Sequence, residues 1–151
     1  VIADARTARI VPASRSAVWD VLTTNEGAAT FMAAEVDIHL LVGGHYRIGF
    51  DGDLDDGGEI LNFSHEQELV LDFTTPKHLG VGNTRVRIAL EPLEGDETRV
   101  VAVVEFPDEA ARDRLAQHMM GAWDGVLERL YWRMQTGQSA ADGDTSFWKG
   151  A

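Results

Sequence analysis

Apolar and polar positions follow two different periods along this chain. From Glu35 to Phe106 apolar residues recur at every second position: Val36, Ile38 and Leu40; Tyr46, Ile48 and Phe50; Leu61 and Phe63; Leu69, Leu71 and Phe73; Val86, Ile88 and Leu90; Val100, Ala102 and Val104. Alternation of this kind marks strands with one buried face. Ile60 and Leu61 are both apolar, so the buried face of their strand is ambiguous. Gly, Pro, Asp or Asn clusters bound the runs, and the spacers are too short for parallel crossovers. An antiparallel meander is predicted.

The flanks read differently. Arg6 to Val11 is a short strand stopped at Pro12. Ser14 is placed to cap a helix bearing Val18, Trp19, Val21 and Leu22, and Thr24 or Asn25 to cap a second short helix through Phe31 and Met32. Asp108 caps a long helix, 109–136, ending near Gly137. Leu115, Met119, Ala122, Val126 and Leu130 share one face of it, and Trp123, Leu127 and Met134 extend that face. At 1.5 Å per residue it is roughly 40 Å long, enough to cross a whole sheet.

Strand, two short helices, five or six further antiparallel strands and a long terminal helix make an α+β domain. The sheet must bury its apolar face, and only the terminal helix is long enough to cover it. A twisted sheet wrapped on one straight helix leaves a gap beneath it. Shared alternation parity and the helix stripe place Tyr46, Ile48, Phe50, Phe73, Val86, Ile88, Met119 and Trp123 around that gap, with Phe63 and His118 as further candidates. Buried Tyr46 and Trp123 would bring polar atoms to an otherwise apolar pocket.

Length and composition narrow the function. The chain has 151 residues, 44% hydrophobic and 25% charged, which suits one globular domain over residues 1–137 with a polar tail, 138–151. A chain of this length buries roughly 70% of its unfolded surface and needs no cross-links. It has no cysteine, which excludes disulfides and thiolate metal sites. Twenty-five acidic against thirteen basic residues give a net charge of −12, a poor match to nucleic acid. No apolar run is long enough for a membrane span and no signal-peptide pattern opens the chain, so a cytoplasmic protein is expected. In the tail, Phe147 and Trp148 are the only large apolar residues. They are expected to dock in a groove of this chain or of a second copy in a homodimer.

Local motifs add little chemistry. The acidic run Asp51 to Glu59 suggests a calcium loop, but Asp56 stands where the helix–loop–helix calcium pattern needs Gly and Asn62 where it needs Glu. It reads as a solvated hairpin turn. Gly43-Gly44 and Gly57-Gly58 also read as turns, since no phosphate-loop Lys-Ser/Thr follows them. The histidines His39, His45, His65, His78 and His118 show no zinc spacing, so neither a metal nor a cofactor is expected. His118 beside Met119 is either a cavity imidazole able to act in acid–base chemistry or a boundary residue touching solvent. Gly121 and Gly125 mark a close approach of the helix, space kept for a ligand, or simply a solvent-facing surface.

Six stretches in order carry a family resemblance: Val11-Pro12-Ala13-Ser14-Arg15-Ser16-Ala17-Val18-Trp19; Val42-Gly43-Gly44-His45-Tyr46; Gly58-Glu59-Ile60; Glu68-Leu69-Val70-Leu71-Asp72-Phe73; Val86 to Pro92 running on to Glu97-Thr98-Arg99-Val100; and Trp123 with Leu127 and Leu130. With them the chain resembles the Aha-type family, the activator-of-Hsp-ninety-ATPase homologues, within the START-like (SRPBCC) superfamily that includes birch-pollen-allergen-like proteins. The resemblance implies a helix-grip fold with an internal cavity. It implies binding of a hydrophobic small molecule there, or alternatively a polyketide-cyclase-type enzyme or a co-chaperone-like protein-interaction module.

Overall fold

In a computed structural model of the chain, residues 3–33, 35–50, 53–74 and 83–140 are described. Side-chain caps start the helices where the sequence places them. The Ala17 N–H donates to Ser14 Oγ at 3.2 Å ahead of α1 (Arg15–Thr23). The Gly27 N–H donates to Thr24 Oγ1 at 3.1 Å ahead of α2 (Asn25–Ala28), and the Ala111 N–H to Asp108 Oδ1 at 2.8 Å ahead of α3 (Glu109–Thr136). Each bond satisfies an amide that lacks a helical partner. The second helix stops short of Phe31 and Met32, which are buried in the turn after it. Gly137, at φ +72°, ends α3 with its N–H bonded to Arg133 O.

The strands are β1 (Ala3–Val11), β2 (Glu35–Ile38), β3 (His45–Phe50), β4 (Asp53–Ser64), β5 (Glu68–Thr74), β6 (Asn83–Leu93) and β7 (Glu97–Phe106). They form one antiparallel sheet in the order β1-β7-β6-β5-β4-β3-β2. β2 to β7 are the expected meander. β1 pairs with the last strand, Ala3 opposite Phe106 and Val11 opposite Thr98, so α1 and α2 carry the chain from one sheet edge to the other. One inner row runs Ile60, Leu71, Val86, Val104, Ala5 across five strands. This is the α+β helix-grip arrangement: a sheet closed on one long terminal helix.

β4 departs from expectation. The acidic segment from Asp53 onward is strand and not turn, and Gly57-Gly58 lie inside it, paired with Arg47 and Tyr46 on one side. Gly57 has φ +103°, and a Cβ on Gly58 would lie 1.4 Å from Asp72 O. These glycines let three strands crowd together where the sheet curls. A bulge follows: Ile60 faces Leu71 and Asn62 faces Val70, leaving Leu61 as the extra residue. The bulge puts both Ile60 and Phe63 on the inner side, which resolves the ambiguity of two consecutive apolar residues. Gly43-Gly44 does lie in the β2–β3 turn, where Gly43 has φ +86°.

α3 lies against β1 and, less closely, β7. Ala3, Ala5 and Thr7 on the inner face of β1 are small enough to admit it. The Thr7 hydroxyl donates to the Asp124 carboxylate, and the Arg9 guanidinium stands 4.9 Å from the Tyr131 ring centroid. Farther along, Arg129 Nε donates to Phe31 O at 2.8 Å and Arg133 Nε to Thr30 Oγ1 at 3.1 Å, tying the helix to the turn after α2. The Ala140 N–H donates to Thr30 O at 2.7 Å, which holds the start of the tail against the same turn. Phe147 and Trp148 lie outside the described residues. On the outer face Val70 and Val103 are buried although they point away from α3. Arg87 stands between them in the ladder, and its stem covers apolar surface while its head reaches Glu68 at 3.6 Å.

Candidate functional site

Alternation on β3, β5 and β6 sends Tyr46, Ile48, Phe73, Val86 and Ile88 to the inner face, and the i, i+4 row of α3 brings Met119 and Trp123 above them. All seven are buried. The Phe73 and Trp123 rings meet edge to face with centroids 5.6 Å apart, the favoured geometry for such a pair. This contact links α3 to a strand well away from β1. Tyr46 crosses the layer toward α1, and its hydroxyl donates to Leu22 O at 2.7 Å. Leu22 is in the last turn of α1, where carbonyls have no helical partner. Complete burial pushes the Tyr46 phenol far above its ordinary pKa. Its polar tip is therefore committed to the fold.

Three of the candidate residues stand apart. Phe63 is half-buried on the inner side and packs against Trp19 of α1, ring centroids 6.4 Å apart. His118 is exposed: Met119 faces the sheet, and a neighbouring helical position is turned about 100° away from it. The backbone of Phe50 ends β3, and its side chain lies outside the described set. The apolar row runs through Ala111, Leu115, Met119 and Trp123, so Trp123 and not Ala122 is the buried member there. Gly121 faces open space, and a Cβ on Gly125 would meet only the Arg129 side chain, at 3.4 Å.

The other described histidines are also remote from this layer. His45 Nε2 is 2.9 Å from Asp37 Oδ2 on the outer face, with the His39 ring 5.9 Å from that of His45. His65 stands edge-on to Trp19 at 5.9 Å. His78 lies outside the described residues. Among the described residues no three His, Asp or Glu side chains are grouped to hold a metal, and no helix is long and apolar enough to cross a membrane.

Four polar residues among those described are buried without having been singled out from the sequence, Thr23, Thr84, Thr98 and Arg129, and two of them bear on the layer's polarity. Arg129 is buried on α3, and nothing in the stripe signals it, since Arg is rarely interior. Thr84 continues the inner row of Val86, Ile88 and Leu90 by parity, and it pairs with Phe73. That alternation was legible and points to the hydroxyl's position.

A curled antiparallel sheet closed on a C-terminal helix, with a mostly apolar layer between them, defines the helix-grip class. Within it the chain belongs to the family described as Activator of Hsp90 ATPase homolog 1-like protein, matching over residues 12–135. Its fold is similar to the crystal structure of DynU16, from the dynemicin biosynthetic locus, with a TM-score of 0.75 and 23% identity. That match covers 91% of this chain and 49% of DynU16, so the chain spans about half of that protein's length. It is also similar to the Aha1 dimer of Colwellia psychrerythraea, with a TM-score of 0.74, 16% identity and 89% and 98% of the two chains covered. CalU16 of Micromonospora echinospora gives 0.68 at 18% identity, covering 97% of this chain and 80% of its own. Among curated proteins none matches the chain.

Proposed function

We propose that this domain binds a hydrophobic small molecule between α3 and the inner faces of β3 to β6. The observation that carries the reading is the off-centre seat of the helix. The α3 backbone runs against β1 and β7 and makes no comparable approach to β3–β6 among the described residues. Large apolar side chains span that wider interval, Trp123 reaching Phe73 above all. A mostly apolar layer with few polar groups is the kind of lining that small-molecule sites have. DynU16, which has a similar fold, comes from the dynemicin biosynthetic locus, and that is in keeping with a small-molecule site.

Binding is favoured over acid–base catalysis by the polar groups present. The buried polar and charged residues among those described are Thr23, Thr84, Thr98 and Arg129, besides the Tyr46 phenol. Thr23 donates to Trp19 O, Thr98 to Ala13 O, Arg129 to Phe31 O and Tyr46 to Leu22 O. General acid–base chemistry needs a group free to exchange a proton with a substrate. The test is native mass spectrometry of the purified protein, followed by extraction. A co-purified apolar molecule, or saturable quenching of tryptophan emission by an apolar dye, is the expected result. Absence of both would remove the reading.

Homodimerisation is a second proposal, favoured by the outer edge of β1, which pairs with no other strand among the described residues, and by the dimeric state of the Colwellia relative. Sedimentation that shows a monomer at every concentration would discard it.

A further inference from the structure

From Thr84 we infer that the ligand carries a carbonyl or hydroxyl oxygen, and that the Thr84 hydroxyl is the group that reads it. This rests on the binding reading above and assigns the polar half of the same site.

Thr84 is 2% exposed. Its Oγ1 is buried and has no hydrogen-bond partner among the described residues. The other buried threonines differ in this respect, Thr23 Oγ1 donating to Trp19 O at 2.7 Å and Thr98 Oγ1 to Ala13 O at 2.8 Å. Position matters as well. Thr84 lies opposite Phe73 in the β5–β6 ladder, and Phe73 is the residue whose ring meets Trp123. The hydroxyl is therefore beside the aromatic pair that bridges helix and sheet, on the inner face.

A strand position that needed only bulk and β-branching would be served by valine, which has nearly the same shape without a hydroxyl to desolvate. A threonine here is explained by an occupant that takes up its hydrogen-bonding capacity. A hydroxyl both donates and accepts, so a ketone, an enone or an alcohol satisfies it. A pure hydrocarbon leaves it unsatisfied, and an anion would be buried among apolar side chains without a counter-charge.

The experiment compares 2-acetylnaphthalene with 2-ethylnaphthalene, two probes of similar shape of which only the first has an oxygen. Dissociation constants are measured by calorimetry or ligand-observed NMR for the wild type, Thr84→Val and Thr84→Ser. The quantity read is the ketone-to-hydrocarbon preference of each variant relative to wild type, which cancels the different aqueous solubilities. Thr84→Val is expected to lose about fivefold to tenfold of that preference by weakening ketone binding, the hydrocarbon being held as well or better. Thr84→Ser is expected to keep most of the preference. Ligand-free Thr84→Val should melt no lower than wild type, because its side chain leaves no buried hydroxyl. If both probes bind and Thr84→Val leaves the preference unchanged, the site stands and the role of Thr84 is overturned. If neither probe binds the wild type at millimolar concentration, the site and this inference fall together.

Discussion

Replacing Tyr46 by Phe tests the polar link between sheet and helices, because it deletes one oxygen and keeps the ring. The lost bond to Leu22 O, 2.7 Å long, is worth about 1 kcal/mol net. The carbonyl left without its partner beside a fully buried side chain adds about 1 kcal/mol more. A loss of about 2 kcal/mol should lower the melting temperature by roughly 4–8 °C for a chain of this length. A second signature appears at alkaline pH. The phenol's ordinary pKa is 10.0 and burial raises it in the folded protein. Above pH 10 the unfolded chain thus gives up a proton that the folded one retains. The wild type should lose about 1.4 kcal/mol per pH unit there, while below pH 10 the contribution is fully present. Tyr46→Phe lacks this term, so the two stability curves should converge between pH 10 and about pH 11.5. Urea melts from pH 7 to 11.5, read by tryptophan emission, measure both effects. The chain has two tyrosines, so in the variant phenolate absorbance reports Tyr131 alone. Equal stability at pH 7, or a gap that stays constant to pH 11.5, would refute the buried bond.

Gly58→Ala would drive a Cβ to 1.4 Å from the Asp72 carbonyl oxygen, so β4 and β5 must separate. A loss above about 3 kcal/mol is expected from the urea midpoint, and a wild-type midpoint would contradict the tight curl. Gly121→Ala acts in the opposite direction, since its Cβ meets nothing within 4 Å on an exposed helical face. It should stabilise the protein by about 1 kcal/mol, raising the melting temperature roughly 2–4 °C; destabilisation would mean that the helix face is covered. Micromolar calcium or zinc should leave the melting temperature unchanged, because the acidic run fails the calcium spacing. A rise of several degrees would show selective binding to the folded state.

The sequence by itself determined the elements and their faces wherever a residue's fate depends on near neighbours. Alternation at Tyr46 and Ile48, at Leu69 to Phe73 and at Val86 to Leu90 sends those side chains to the inner face because successive strand residues point oppositely. Ser14, Thr24 and Asp108 cap helices because the amides they satisfy are three residues away. The i, i+4 row of α3 likewise put Met119 inside, whereas His118 beside it was left open. Only the tertiary structure decided the rest. Whether Gly57-Gly58 is a turn or a crowded strand depends on β3 and β5 approaching from both sides, which no local signal carries. The Leu61 bulge answers to pairing with Leu71 and Val70, and it turns Phe63 to the inner face, where it meets Trp19. β1 joins β7 from the opposite end of the chain, and its small inner residues draw α3 off centre. Arg129 is buried because the Phe31 carbonyl, 98 positions away in sequence, comes within 2.8 Å of it. Thr84 lies between: parity fixed its inward face, but only the assembled core shows that its hydroxyl has no partner among the described residues.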